Sequence, residues 1–148
     1  MLIRAYRLSD EDAVVALWQE CGLTRPWNDP RKDIARKMRV RPDLFLVGEL
    51  DGAVVATAMA GYEGHRGWVS YLAVSPAQRR RGLGRAIMAE VERLLREAGC
   101  PKINLQVRTG NAEVIAFYRR IGFELDDVVS LGKRLERDGP GPDEVEVS

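Results

Sequence analysis

Four arginines and two glycines within one short stretch are the residues most able to do chemistry. Val74 to Arg85 reads V-S-P-A-Q-R-R-R-G-L-G-R, with Arg79, Arg80, Arg81 and Arg85 around Gly82, Leu83 and Gly84. Glycine has no Cβ, so an anion can come close to the backbone N–H groups there. An apolar run, Trp68 to Val74, precedes the stretch, and a long amphipathic pattern follows it. A helix in that place aims its unpaired first-turn N–H groups and its positive dipole end at the same spot. Such a spot can hold a phosphate or pyrophosphate. The same residues also read as a tight strand-to-helix connection with a solvated basic surface, and both readings stand on the stretch alone. Two phosphate motifs are excluded. Ile87 stands where a dinucleotide fingerprint needs its third small residue, and no Gly-Lys-Ser/Thr is present.

Tyr118 shares a helical face with Val114, Phe117 and Ile121, and by its spacing is a core tyrosine. Asn111 suits a helix N-cap. The loop G-Y-E-G-H-R-G from Gly61 to Gly67 holds Glu63 and the single histidine, His65. Imidazole has the right reference pKa for a base, but one histidine in such a loop reads first as a surface residue. Trp27, in T-R-P-W-N-D, reads as packing on the core in preference to lining a cleft.

The elements that must position these residues follow from pattern. Leu2 to Tyr6 reads as a strand. Ser9 as N-cap opens a helix from Asp10 to Glu20, with Ala13, Val14, Leu17, Trp18 and Cys21 at helical spacing. Asp29-Pro30 opens a second helix through about Arg39. Leu44 to Leu50 and Ala53 to Ala60 form a hairpin across Asp51-Gly52, and Trp68 to Val74 supplies the next strand. After the basic turn comes a helix whose Leu83, Ile87, Val91, Leu94 and Leu95 share a face, ended by Gly99 and Pro101. Lys102 to Val107 then suits a parallel strand, followed by the Asn111 helix, a short strand at Phe123-Glu124 and a last one over Val128 to Leu135. The order is β-α-α-β-β-β-α-β-α-β-β in a mixed α/β (α+β) sheet.

The chain has 148 residues, enough for one domain with a real core, which the pattern places at 1–137. The acidic Gly-Pro-Gly-Pro tail, 138–148, is expected to pack loosely. A net charge of +1 argues against a dedicated nucleic-acid binder. Cys21 and Cys100 are too few and too far apart for a metal cluster or a disulfide framework, so no metal is expected and a reducing cytoplasm is the natural setting. No apolar run reaches membrane-spanning length, and the N-terminus lacks a signal peptide's apolar core. Neither export nor membrane insertion is expected.

The element order and two separated motifs resemble the GCN5-related N-acetyltransferase (GNAT) family. That family's pyrophosphate motif is similar to Arg79-Arg80-Arg81-Gly82-Leu83-Gly84. Its later motif resembles Asn111-Ala112, Ala116-Phe117-Tyr118 and Gly122-Phe123, and Leu72-Ala73-Val74 with Pro76 also fits. The phrases R-P-W-N-D-P, G-H-R-G and L-G-K-R-L further resemble the small bacterial YpeA-type subgroup.

The resemblance implies acetyl-CoA as donor and an amine as acceptor, joined by direct attack in a ternary complex. It implies a bulged central strand that splays from its neighbour. Leu72, Ala73 and Val74 would pair with pantetheine there as an added strand. An N–H of that row, Val74's first, would polarise the thioester carbonyl. Backbone N–H groups from Arg80 to Arg85 would take the pyrophosphate. Asn111 and Phe117 would line the cofactor site, and Tyr118 would protonate the leaving thiolate. An amine with a reference pKa near ~10.4 must also lose a proton before it attacks. Glu63 is the first candidate base, with Glu49, His65 and a water chain as alternatives. Gln106 stands where ribosomal-protein and N-terminal acetylating relatives carry a glutamate. The acceptor cleft would come from Cys21 to Arg39 and from the Gly61–Gly67 loop, and the family allows a homodimer. A rival class is a non-catalytic acyl-CoA-binding or regulatory module on the same fold.

Overall fold

The computed structural model describes residues 1–139. Its five strands run β1 (Leu2–Ala5), β2 (Phe45–Leu50), β3 (Ala53–Tyr62), β4 (Gly67–Val74) and β5 (Ile103–Leu105). Its four helices are α1 (Glu11–Glu20), α2 (Pro30–Lys37), α3 (Leu83–Glu97) and α4 (Ala112–Arg120). The strands lie side by side in chain order, antiparallel from β1 to β4 and parallel between β4 and β5.

Local chemistry explains most boundaries. Asp51 and Gly52 both take positive φ (51° and 80°), which gives the hairpin the primed turn that matches strand twist. Asp29 caps α2 by accepting from the N–H groups of Arg31 and Lys32, and Pro30 occupies the first turn. Asn111 accepts from the Val114 N–H and caps α4. Ser9 does not cap α1. It lies in a short 3₁₀ turn, Leu8–Asp10, and Asp10 instead accepts from the Arg7 N–H and pairs with Arg4.

The sheet has a core on each face. Leu46, Ala56, Ala58, Ala60 and Val69 pack with Ile87, Met88, Val91 and Leu95 of α3 and with Tyr118 of α4. Phe45, Val47 and Ala73 pack on the other face with Val14, Val15, Leu17 and Trp18 of α1 and with Ile34 of α2. Trp27 is half-buried and belongs to neither cluster, so the core-packing expectation for it fails.

Among the described residues no strand follows α4, so the two expected last strands do not form. Asp126 pairs with Lys102 at 2.9 Å, and Ser130 hydrogen-bonds Gln106, so this segment meets β5 through side chains instead of a backbone ladder. Val128, Val129, Leu131 and Leu135 remain exposed. The chain then crosses to α2. Arg134 donates to Asn28, and Asp138 accepts from the Asp29 N–H (3.1 Å) and from Arg36 (2.7 Å). Asp138 is therefore anchored, against the expectation of a loose tail from that residue. The rest of the expected tail, 140–148, lies outside the described residues.

Candidate active site

A bulge in β4 organises the site. Thr57 of β3 faces Ala73 and Met59 faces Ser70, so Tyr71 and Leu72 together oppose the single residue Ala58. Tyr71 has φ 52°, a left-handed conformation that costs a non-glycine residue about 1 kcal/mol or more. The extra residue reverses the alternation. Val69 packs on the α3 face and Tyr71 on the α1 face, after which Leu72 and Val74 return to the α3 face and Ala73 to the α1 face.

Beyond Val69, β4 leaves its neighbour. β5 pairs only with Gly67, Trp68 and Val69, so Ser70 to Val74 have no strand on that side. Ser75 donates its N–H to the Val55 carbonyl at 2.8 Å. Alternation along an antiparallel strand then turns the Ala73 main chain toward β3 and the Val74 main chain away from it, into the gap. The Val74 carbonyl accepts from the Cys21 thiol at 3.3 Å, and burial pushes that thiol's pKa up despite nearby Arg79.

The gap leads to the basic turn. A 3₁₀ turn, Pro76–Gln78, precedes it, and Arg80 (φ 66°) and Gly82 (φ 75°) both take the left-handed conformation. Arg79, Arg80, Arg81, Gly82 and Arg85 are exposed, so packing does not seal the bend. Gly82 caps α3 without a side-chain hydrogen bond, and the first turn of α3 carries no acid. Helices favour acids at that end, whereas Arg81 and Arg85 flank this one. The arrangement suits an anion supplied from outside the chain. Arg81 also donates to Gln78 at 2.9 Å.

Gly84 serves a different purpose. A Cβ there would stand 3.3 Å from Phe117 Cζ and 3.5 Å from Val74 Cγ2, so its small size lets α3, α4 and β4 meet behind the turn. Tyr118, the next residue along α4, is 8% exposed and packs edge-on against Phe117 and Phe123. Burial pushes its phenol up to about 12, so it stays protonated at neutral pH. Tyr118 also lines a cavity of about 970 Å³ along β5, together with Trp68, Asn104, Leu105 and Gln106.

The structure does not bring Glu63 to this place. Glu63 lies between Tyr62 and Gly67, which pair with each other at the closed end of the β4–β5 contact. Its carboxylate accepts from the N–H groups of His65 and Arg66 in its own turn. Glu49 is tied to Arg4 at 2.6 Å, and His65 is exposed in the Glu63 turn.

Three residues escaped the sequence reading. Thr57 is fully buried, accepts from the Trp18 indole N–H at 2.9 Å and donates to the Tyr71 carbonyl at 2.8 Å. Tyr71 stacks on Trp18 with ring centroids 3.7 Å apart and donates to Asp33 at 2.5 Å. Burial, and then the hydrogen bond to Asp33, hold the Tyr71 phenol above its usual range. A threonine inside the apolar run A-V-V-A-T-A-M-A was the available signal.

The mixed sheet thus splits between two parallel strands, with an uncapped helix N-terminus at the mouth of the split. The chain belongs to the acetyltransferase (GNAT) family, whose sequence profile matches residues 8–123, and it is an acetyltransferase enzyme. It is similar to acetyltransferase ECA0875 of Pectobacterium atrosepticum, with 49% identity over 93% of this chain and 98% of that protein. The structure of Ard1 from Thermoplasma volcanium matches with a TM-score of 0.77 and 29% identity, covering 84% of this chain and 83% of that one. Aminoglycoside N-acetyltransferase AAC(6')-Iy in complex with CoA shares the fold, with a TM-score of 0.67 and 20% identity over 90% of this chain and 99% of that one. Members of the family use acetyl-CoA. Among the described residues no helix is long and apolar enough to cross a membrane, and no cluster of side chains could hold a metal.

Proposed function

We propose that the protein transfers the acetyl group of acetyl-CoA to an amine by direct attack within a ternary complex, as a YpeA-type member of its family. What supports the reading is that a strand edge without a partner strand and a helix start without a side-chain cap follow one another along the chain. The edge of β4 from Leu72 to Val74, which has no partner strand, leads through the Pro76–Gln78 turn to the uncapped, arginine-rimmed start of α3.

Each residue then has a task. The N–H groups from Arg80 to Arg85 and the side chains of Arg79, Arg80, Arg81 and Arg85 bind the diphosphate. The exposed edge of Leu72 to Val74 orients the pantetheine arm as a strand would, and Asn111 and Phe117 close the α4 side. Acetyl-CoA, when bound, supplies an activated thioester. Tyr118 keeps its proton up to about pH 12 and presents it to a leaving thiolate. A thiol near ~8.5 is the stronger acid by about 5 kcal/mol, so Tyr118 keeps its proton and stabilises the departing thiolate by donating a hydrogen bond, and the released thiolate is protonated from solvent.

No side chain takes the role of base in this reading. The carboxylates of Glu63 and Glu49 are both engaged, so water removes the amine proton. The acceptor enters on the α2 side, beside the Tyr71 phenol, where Asp33 is itself paired with Arg36 at 3.1 Å. Glu63→Gln and Tyr118→Phe, assayed for amine-dependent release of CoA from acetyl-CoA, test the assignment. Activity retained in the first and lost in the second supports it, and the reverse pattern overturns it.

A further inference from the structure

The bulge in β4 is strained and yet held by more than its own backbone. Tyr71 sits at φ 52°, and three interactions converge on it from the α1 side of the sheet. Its ring lies on the Trp18 indole, its phenol donates to Asp33, and its carbonyl accepts from Thr57. Thr57 is itself fixed, because its Oγ1 accepts from Trp18 Nε1 at 2.9 Å and must therefore send its own proton elsewhere. Trp18 and Thr57 are both fully buried, so leaving either group unpaired would be costly.

The consequence lies one peptide unit away. No peptide bond of the described chain is cis, and in a trans peptide the C=O and N–H point in opposite directions. The Tyr71 carbonyl is directed at Thr57, on the α1 side. The Leu72 N–H of the same unit therefore points away from Thr57 and its strand β3, and on the other side of β4 no strand pairs beyond Val69.

We propose that Thr57, oriented by Trp18, is a positioning residue that sets the Tyr71–Leu72 peptide so that the Leu72 N–H is presented to the acyl oxygen of the donor. This rests on the acetyl-CoA reading and goes beyond it by naming the buried hydroxyl that aims the donor group. A preorganised N–H is worth most when it cannot rotate away, and here rotation would break the Thr57 bond. The threonine carries a polar group into an apolar core, a costly choice that packing alone does not require.

The test separates orientation from folding and from donor binding. Thr57→Val removes the hydroxyl at nearly constant shape, Thr57→Ser restores it, and Trp18→Phe removes the N–H that orients it. Binding of CoA and of acetyl-CoA carrying a ¹³C carbonyl is measured by calorimetry, with the bound carbonyl stretch read by difference infrared spectroscopy. Expected for Thr57→Val is a CoA affinity within about twofold of wild type, an acetyl-CoA affinity about tenfold weaker, and a carbonyl stretch moved toward its free value. Thr57→Ser should recover both, and Trp18→Phe should fall between; this pair decides the matter if Thr57→Val does not fold. An unchanged carbonyl stretch in Thr57→Val, or in Trp18→Phe should the valine variant not fold, overturns the inference. Failure of the wild-type protein to bind either CoA form overturns the acetyl-CoA reading itself.

Discussion

Gly84 and Phe117 meet so closely that a single added methyl group would stand 3.3 Å from the Phe117 ring. One belongs to the basic turn and the other to the helix that carries Tyr118, so this approach couples the proposed anion site to the proposed acid. Gly84 lies in the first turn of α3 without a left-handed φ, so space and not backbone conformation sets its identity. Gly84→Ala gains helix propensity of about 1 kcal/mol against a mild clash and should leave stability almost unchanged. Gly84→Val cannot be accommodated without moving α4, and CoA binding by calorimetry should weaken about tenfold or more, an estimate from the cost of overpacking.

Tyr118→Phe should lower kcat by about 10- to 100-fold while leaving CoA affinity near wild type, the pattern of a group that acts on the leaving sulfur. Steady-state kinetics and calorimetry check the two halves.

The same phenol makes an alkaline prediction. Its folded-state pKa is about 12 against 10.0 for the free group, raised by burial. The unfolded chain therefore ionises first, and stability that is intact below pH 10 is lost as the pH rises toward 12. The loss from Tyr118 is about 2–3 kcal/mol over that window. Tyr6 and Tyr71 are shifted in the same direction, so the diagnostic quantity is the difference between proteins. Urea midpoints between pH 9 and 12 should fall more steeply for wild type than for Tyr118→Phe.

Much of this was legible in the sequence because the signals were local. Asp51-Gly52, Asp29-Pro30 and Asn111 each specify their turn or cap through their own side chain or backbone preference, and all three appear as expected. The bend at Gly82 was legible for the same reason. Long-range pairing was not. The apolar residues of Val128 to Leu135 suggested a strand, but a strand needs an edge to join, and this segment is held by Asp126, Ser130 and Arg134 through side chains. Glu63 looked free in sequence because nothing there shows that its carboxylate closes its own turn. Thr57 shows in the sequence only as a polar residue in an apolar run, because its partner Trp18 lies 39 positions away.

Asp138 ties the end of the described chain to α2. The Arg36 guanidinium and the Asp29 N–H hold its carboxyl well below the usual carboxylate range. The bond is therefore present above pH ~4, where a free aspartate is ionised, and is lost as the pH falls through the depressed folded value. Asp138→Asn should expose residues 131–139 to limited proteolysis at pH 7 faster than wild type, while a control substitution at exposed Asp127 should not.

Arg81 and Arg85 are exposed, so each should contribute modestly to donor binding. Alanine at either position should raise the KM for acetyl-CoA by about 3- to 5-fold at low salt, with the effect shrinking as ionic strength rises. Initial rates at 20 and 300 mM salt would show it.

If the open edge of β4 and the uncapped start of α3 form one continuous donor site, both must respond to the same ligand. Titration of CoA into ¹⁵N-labelled protein, followed amide by amide, tests this most directly. The largest shifts should fall on Leu72, Val74 and the run from Arg80 to Arg85. Shifts confined to the cavity along β5, with those amides unmoved at saturation, would contradict it.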